Sequence, residues 1–395
     1  MKDYLTMFLL LCISGNPCVV HFSEYADYVN LLMFTWLVVL YGRHLNRGLC
    51  KRIMLWVSLL LVIFTVQTFT LESQFQLTSI NYMVKMSVAI LVTAIFSERF
   101  PIIYFKTITF VAVCSLFCFS LNFVGVELPA LFDLEHRGTS VFFYRQQFDI
   151  STSLRNSGMF WEPGAFAGYI IFAYLLFVNE LGTLWKRYKK RCIILLIALL
   201  TTASTTGYVV GAMIAVAYFA QRIRNKLVLG MAYLVIIPML YWVYTQADFL
   251  GEKITQEYET AMSSDALSVN QSRMGSALID FYYIKKHPCF GNGLHQSTRY
   301  ADHLKYYDYE DLQGFSNGFT GNIASLGIVF MLCFLIAIYR NKTLQRKWLT
   351  IIVFVLLMQG EYYMDYPLFL CLPFVIFFNS YIVPYEIRRC YFNGA

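Results

Sequence analysis

Of the chain's 395 residues, 58% are hydrophobic, 18% aromatic and only 14% charged. That is far more apolar surface than a water-soluble core uses, so the composition excludes a soluble enzyme and requires lipid as solvent. The formal net charge of +7 does not indicate nucleic acid, because the basic residues gather in short connections between apolar runs, the positive-inside pattern of membrane proteins.

The first apolar run, about 4–20, lacks a basic leader and a small-residue cleavage site, so it reads as a retained helix rather than a signal peptide. Further runs follow at about 28–42, 53–71, 78–96, 102–125, 163–178, 192–203, 206–220, 227–244, 317–339, 348–363 and 366–383. A hydrocarbon core of roughly 30 Å takes about 20 apolar residues per helix, and most of these runs approach that length. Arg43 to Arg52, Lys186 to Arg191, Arg222 to Lys226, Arg340 to Lys347 and Arg388 with Arg389 all fall on one side, the cytoplasmic one. The expected fold is therefore an all-α polytopic membrane protein of about twelve transmembrane helices, a single domain over residues 1–395, with both termini cytoplasmic. Two long connections, about 126–160 and 245–316, lie outside. The ten cysteines show no CxxC and no regular spacing, which argues against a disulfide framework or a zinc site.

Residues 192–220 are too long for one ordinary crossing and short for two, yet the basic clusters on either side must share a face. A pair of short helices or a re-entrant hairpin results, turning at Ser204, Thr205, Thr206 and Gly207. Irregular backbone at that depth is tolerated only where protein buries it or a water-filled cavity meets it.

The first outer loop runs from Arg155 into Trp161-Glu162-Pro163-Gly164. Pro163 suits the first turn of a helix, which places Glu162 at an N-terminus whose dipole favours a carboxylate. Glu162 is thus either a helix cap or a general base at the mouth of the cavity. The second loop carries Arg273, a short amphipathic segment, then His287-Pro288-Cys289-Phe290-Gly291-Asn292-Gly293, His295 and Arg299, and ends at Asn317. Its glycines, Gly291 and Gly293, read as a tight turn able to approach a ligand closely. Arg155, Arg273 and Arg299 read as clamps for a diphosphate, since guanidinium binds phosphate oxygens bidentately. His287 and His295 suit acid, base or phosphate-binding roles. Asp308 and Asp311 read as a solvated acidic segment, not a metal site. Glu361, near the outer end of the eleventh helix, is an ionisable residue that membrane burial makes costly, and it is expected to face the same cavity.

Arg155 to Gly164, Ser204-Thr205-Thr206-Gly207, Arg273 with the His287 to Gly293 run, and Asn317 before Leu326-Gly327-Ile328 together resemble the Wzy-type O-antigen or capsule repeat-unit polymerases, relatives of the O-antigen ligases. The resemblance implies a cofactor- and metal-independent glycosyltransferase at the outer face of a bacterial inner membrane. Its donor would be a growing glycan on undecaprenyl diphosphate, and the next lipid-linked repeat unit would supply the acceptor hydroxyl. A chain-length regulator protein is an implied partner besides membrane lipids. Arg273 and Arg155 would then meet the diphosphate, Glu162 or His287 would act as base, and Ser204, Thr205, Thr206, Gly291, Gly293, His295, Arg299, Asn317 and Glu361 would line the substrate site. The competing readings are a ligase that passes the glycan to lipid A core, a lipid-linked sugar flippase and a membrane scaffold. A flippase should have short connections and often two similar halves, and neither feature is visible.

Overall fold

The computed structural model describes residues 1–20, 26–42, 46–126, 128–129, 132–133, 139–146, 155–222, 273–307 and 317–379. The expected span at 227–244, the acidic segment at 308–311 and the basic C-terminal tail lie outside the described residues.

The described residues are mainly helical. In chain order the helices are α1 (Lys2–Ile13), α2 (Pro17–Val20), α3 (Ala26–Tyr41), α4 (Arg47–Thr70), α5 (Leu77–Phe96), α6 (Phe100–Phe123), α7 (Pro163–Leu175), α8 (Leu181–Thr201), α9 (Thr205–Arg222), α10 (Arg273–Lys286), α11 (Gln296–Arg299), α12 (Gly318–Tyr339), α13 (Lys347–Met358) and α14 (Pro367–Leu370). Three two-residue antiparallel strands, β1 (Phe132–Asp133), β2 (Thr139–Ser140) and β3 (Arg145–Gln146), decorate the first long connection. Among the described residues, three helical runs are long and apolar enough to cross a membrane by length and composition: Arg47–Thr70, Leu77–Phe123 and Gly318–Tyr339. The second contains α5 and α6, separated by a 3-10 turn at Ser97–Arg99. Shorter apolar helices cover Tyr28–Tyr41, Pro163–Leu175, Thr205–Ala220 and Lys347–Met358.

Helix α7 is the hub. It packs on α6, α8 and α9, and nearly every residue from Pro163 to Leu175 is buried, as expected of a helix that is apolar all round. Tyr169 stacks on Phe160 with ring centroids 4.0 Å apart and meets Phe369 edge-on at 5.2 Å. Helices α4, α6 and α12 carry stripes of large exposed apolar side chains: Met54, Leu55, Leu61 and Val62 on α4, Phe110, Val113 and Phe117 on α6, and Leu332 and Ile336 on α12.

The expected 4–20 run splits into α1 and α2, the basic run 186–191 lies within α8 rather than in a connection, and two further elements differ from the sequence expectation. In the described part of the 366–383 run helix is confined to α14; residues 371–374 turn, and 375–379 run on without helix. Pro373 lies just past α14, where proline interrupts a helical pattern. The backbone there is held instead by Asn341, whose amide donates to Pro373 O at 3.2 Å and Val375 O at 2.8 Å, and by Phe378 N donating to Leu176 O at 3.0 Å. The second difference is in α12, which breaks at Gly327 (φ 84°, ψ 164°).

That break is filled by the second loop. Asn292 N donates to Ala324 O at 2.8 Å and Gly293 N to Ser325 O at 3.0 Å, while Ile328 N and Val329 N donate to Pro288 O at 2.9 Å and Cys289 O at 3.2 Å. The amide of Gln67 on α4 donates to Phe290 O and, at 2.8 Å, to Ser325 O. Backbone groups freed by the break are thus satisfied by the inserted loop, as buried polar groups require. Only glycine fits the contact: a Cβ on Gly291 would lie 2.4 Å from Ser325 O, and one on Gly327 would lie 2.1 Å from Cys289 O.

Candidate functional site

The α8–α9 hairpin forms as expected, but its turn lies at Thr202 to Ser204. Ser204 Oγ accepts from Gly207 N at 3.2 Å and so caps α9, which places Thr205 and Thr206, both half-buried, in the first turn of that helix. Arg155 reaches this turn and donates from Nε to Thr202 O at 3.1 Å and from Nη2 to Ala203 O at 3.0 Å. Asn156 adds a backbone bond to Thr201 O at 2.9 Å and accepts from Ser115 Oγ at 2.6 Å. The sequence suggests a diphosphate clamp at Arg155. In the structure these two guanidinium contacts go to carbonyls, so Arg155 fixes the turn.

Downstream, the Arg145 guanidinium donates to Trp161 O, so a second arginine holds the same segment. Glu162 is exposed at the N-cap of α7, and its side chain makes no cap hydrogen bond. Glu162 thus occupies the cap position without bonding the helix backbone through its carboxylate. Glu361 lies past the end of α13, only 6% exposed, and its Oε2 accepts from Trp161 Nε1 at 2.9 Å. Its Oε1 abuts Gly164, where a Cβ would come within 2.7 Å. The N-terminus of α7 thus lies between two carboxylates, one exposed and one buried, where the helix dipole favours negative charge. Asn317 caps α12 through Thr320 N at 3.2 Å and donates to Gln359 Oε1 at 2.8 Å. Gly318 packs on the Glu361 backbone, and the Tyr363 hydroxyl donates to Gly164 O at 2.8 Å. Segments 161–168, 317–321 and 359–363 therefore converge around Glu361, and the 202–207 turn joins them through Arg155 and through Gly207 against Ala167.

A second cluster sits on α10 to α12. Arg299, expected at a diphosphate, is 3% exposed and pairs through Nη2 with Asp280; its Nε donates to Ser325 Oγ at 3.1 Å. It is flanked by the rings of Tyr300 at 4.6 Å and Tyr283 at 5.1 Å. This removes Arg299 from a surface clamp: it anchors the loop to α12 through Asp280, which also accepts from Thr320 Oγ1 at 2.5 Å. Burial pushes the Asp280 carboxyl up to about 6, against the pull of Arg299 and Thr320. Burial works against the Arg299 charge, but Tyr300 and Asp280 hold the guanidinium above its ordinary pKa. Nearby, Tyr283 shares a 2.7 Å hydrogen bond with the buried His303, and Asp302 is bonded by Lys286, Lys305 and Tyr282, which keep its carboxyl below the usual range.

His295, Gly291 and Gly293 also take structural positions here. His295 caps α11, its Nδ1 accepting from Ser297 N at 3.3 Å. Gly291 and Gly293 press on the α12 break and on Thr298, a close approach to protein rather than to ligand. His287 is half-buried at the end of α10. Arg273 opens α10, and its side chain lies outside the described residues. Tyr362 joins the clusters, its hydroxyl against Gly321 and hydrogen-bonded to Tyr300. Among the described residues no group of three or more His, Cys, Asp or Glu is placed to hold a metal ion.

Between α7, α8 and α9 lies an apolar cavity of about 630 Å³, lined by Ile171, Tyr174, Leu199, Leu200, Tyr208 and Tyr218 among others. Leu199 and Leu200 place one part of its wall next to the turn that Arg155 fixes. Comparison with models of protein families finds no match, and comparison with curated proteins finds none either.

Proposed function

We propose that the chain is a bacterial inner-membrane glycosyltransferase that joins undecaprenyl-diphosphate-linked repeat units into a surface polysaccharide. In this reading about twelve segments cross the membrane, both termini are cytoplasmic, and the Glu361 cluster opens to the outer face. The exposed stripes of Leu, Ile, Val and Phe on α4, α6 and α12 support lipid as the surrounding solvent, since apolar patches of that extent are unfavourable in water.

The observation that carries the reading is the convergence of three distant segments around Glu361, beside the exposed Glu162, with an apolar cavity close by at the Arg155 turn. Glycosyl transfer between lipid-linked units needs these parts. A carboxylate takes the acceptor hydroxyl proton as the new glycosidic C–O bond forms. The bond from the anomeric carbon to the diphosphate oxygen breaks, and cations stabilise the departing diphosphate. Glu162, exposed and at a helix N-terminus, is our candidate base, with His287 the alternative; Glu361 positions the Trp161–Gly164 segment. Arg273 is proposed at the diphosphate, and the α7–α9 cavity for the prenyl chain.

Deleting the gene and resolving the surface glycan on a gel tests this. Single-repeat lipopolysaccharide in place of a ladder is the expected result. Bare core with long polymer retained on the lipid carrier would refute polymerisation and make the protein a ligase, and an unchanged ladder would refute both.

A further inference from the structure

We infer that the chain carries a second ligand site, for a phosphate-bearing anion, in a cavity at its basic face between α4, α5 and α12. The cavity is about 420 Å³ and is lined by Arg52, Trp56, Thr93, Ser97, Arg340 and Asn341, together with the Pro373 to Ile376 return, a size within the range of small-ligand pockets. Its wall is fixed internally. The Asn341 amide is spent on Pro373 O and Val375 O, and the Thr93 hydroxyl on Ala89 O and Ile90 O. Trp56 meets Phe374 edge-on at 5.5 Å and forms an apolar side.

Arg52 and Arg340 stand apart from this satisfied wall. Both are exposed, and among the described residues neither forms an ion pair; the pairs there are Arg99–Asp3, Lys286–Asp302, Arg299–Asp280 and Lys305–Asp302. The C-terminal ends of α5 and α12 also face this region, and each contributes a partial charge of about −0.5. Two full guanidinium charges exceed that sum by about one unit, so the cavity favours an anion. Guanidinium groups accept phosphate oxygens two at a time, and an apolar side beside them suits a phosphodiester that carries hydrocarbon. Two sources supply this chemistry: an anionic phospholipid headgroup, whose attraction to a basic residue at the membrane surface is about 1 kcal/mol, or a soluble phosphate. The site is separate from the Glu361 cluster. The lipid source rests on the membrane reading above; the soluble source does not.

The test uses the full chain purified in detergent. Native mass spectrometry compares retention of phosphatidylglycerol and phosphatidylcholine by the parent, by R52Q/R340Q, and by K186Q/K190Q as a control for surface charge. Inorganic phosphate is then added as a competitor, and its own binding is measured by calorimetry. We expect phosphatidylglycerol to be retained about tenfold better than phosphatidylcholine, with the preference lost in R52Q/R340Q and kept in K186Q/K190Q. Phosphate binding without lipid binding, lost in the same double variant, would also support the site and assign it a soluble occupant. Equal retention of both lipids with no phosphate binding, or an R52Q/R340Q protein that binds as the parent does, overturns the inference. Single R52Q and R340Q variants, each checked for monodispersity, cover the case in which the double variant fails to fold. Glycan polymerisation by any of these proteins is scored separately, so that failure of the anion site and failure of the glycosyltransferase reading remain distinct.

Discussion

Replacing Gly327 by alanine should destabilise the protein severely, and the structure fixes how much. Gly327 has φ 84° and ψ 164°, a region essentially restricted to glycine that costs another residue on the order of 1–3 kcal/mol. The added Cβ would sit 2.1 Å from Cys289 O, 2.5 Å from its carbonyl carbon and 2.6 Å from Phe290 Cα. All three are backbone atoms, so no side-chain rotation relieves the clash and the loop must withdraw. Four backbone hydrogen bonds join that loop to α12, each worth about 1 kcal/mol net. Losing half of them or more brings the total to about 3–7 kcal/mol, a fall in melting temperature on the order of 10 °C. Gly125 is the control: its φ is 83°, but no atom lies within 4 Å of its Cβ position, so Gly125→Ala meets backbone strain alone, about 1 kcal/mol. Thermal denaturation of both variants in detergent, read by fluorescence-detected size exclusion, decides the matter. Equal melting of the two would refute the claim that the loop is wedged into α12.

Other outcomes follow from the two clusters. Arg155→Ala removes two charge-assisted bonds to the Thr202 and Ala203 carbonyls, each worth about 1.5–3 kcal/mol, and hydrogen exchange over 202–207 should speed up while α4 and α5 are unaffected. Burial raises the Asp280 pKa to about 6 in the folded chain, above the ordinary carboxylate value of about 3.9. Its contribution to stability is therefore fully present below about pH 4 and lost as pH rises through about 6; Asp280→Asn should flatten the melting temperature across that window. Glu162→Gln should cut polymer formation by about 10²-fold or more with melting unchanged, whereas Trp161→Phe, which loses the bond to Glu361, should lower both.

Local chemistry made part of this architecture legible in advance. Pro163 marks the start of α7, Asn317 caps α12, and the short interval between two basic clusters forces the α8–α9 hairpin. What the sequence hid depends on partners far along the chain. Glu361 reads as a costly membrane charge until Trp161, 200 residues away, supplies its donor. Arg299 looks like a phosphate clamp in a loop, but Asp280, Thr320 and Ser325 bury it as an anchor. The break in α12 is invisible because Leu326-Gly327-Ile328 continues an apolar helical pattern, and the groups that make the break tolerable come from residues 288–293. At 371–379 the signal was present: Pro373 interrupts the run, but the hydropathy of its neighbours outweighed it.

The central claim, that the chain extends a lipid-linked glycan, is tested most directly by reconstitution. Lipid-linked repeat units extracted from a strain lacking the gene are added to liposomes bearing the purified protein, and the products are resolved by size. The account predicts a ladder of multi-repeat lipid-linked glycans with the parent protein and single units with Glu162→Gln. Single units with both proteins, or transfer only when lipid A core is supplied, would contradict it.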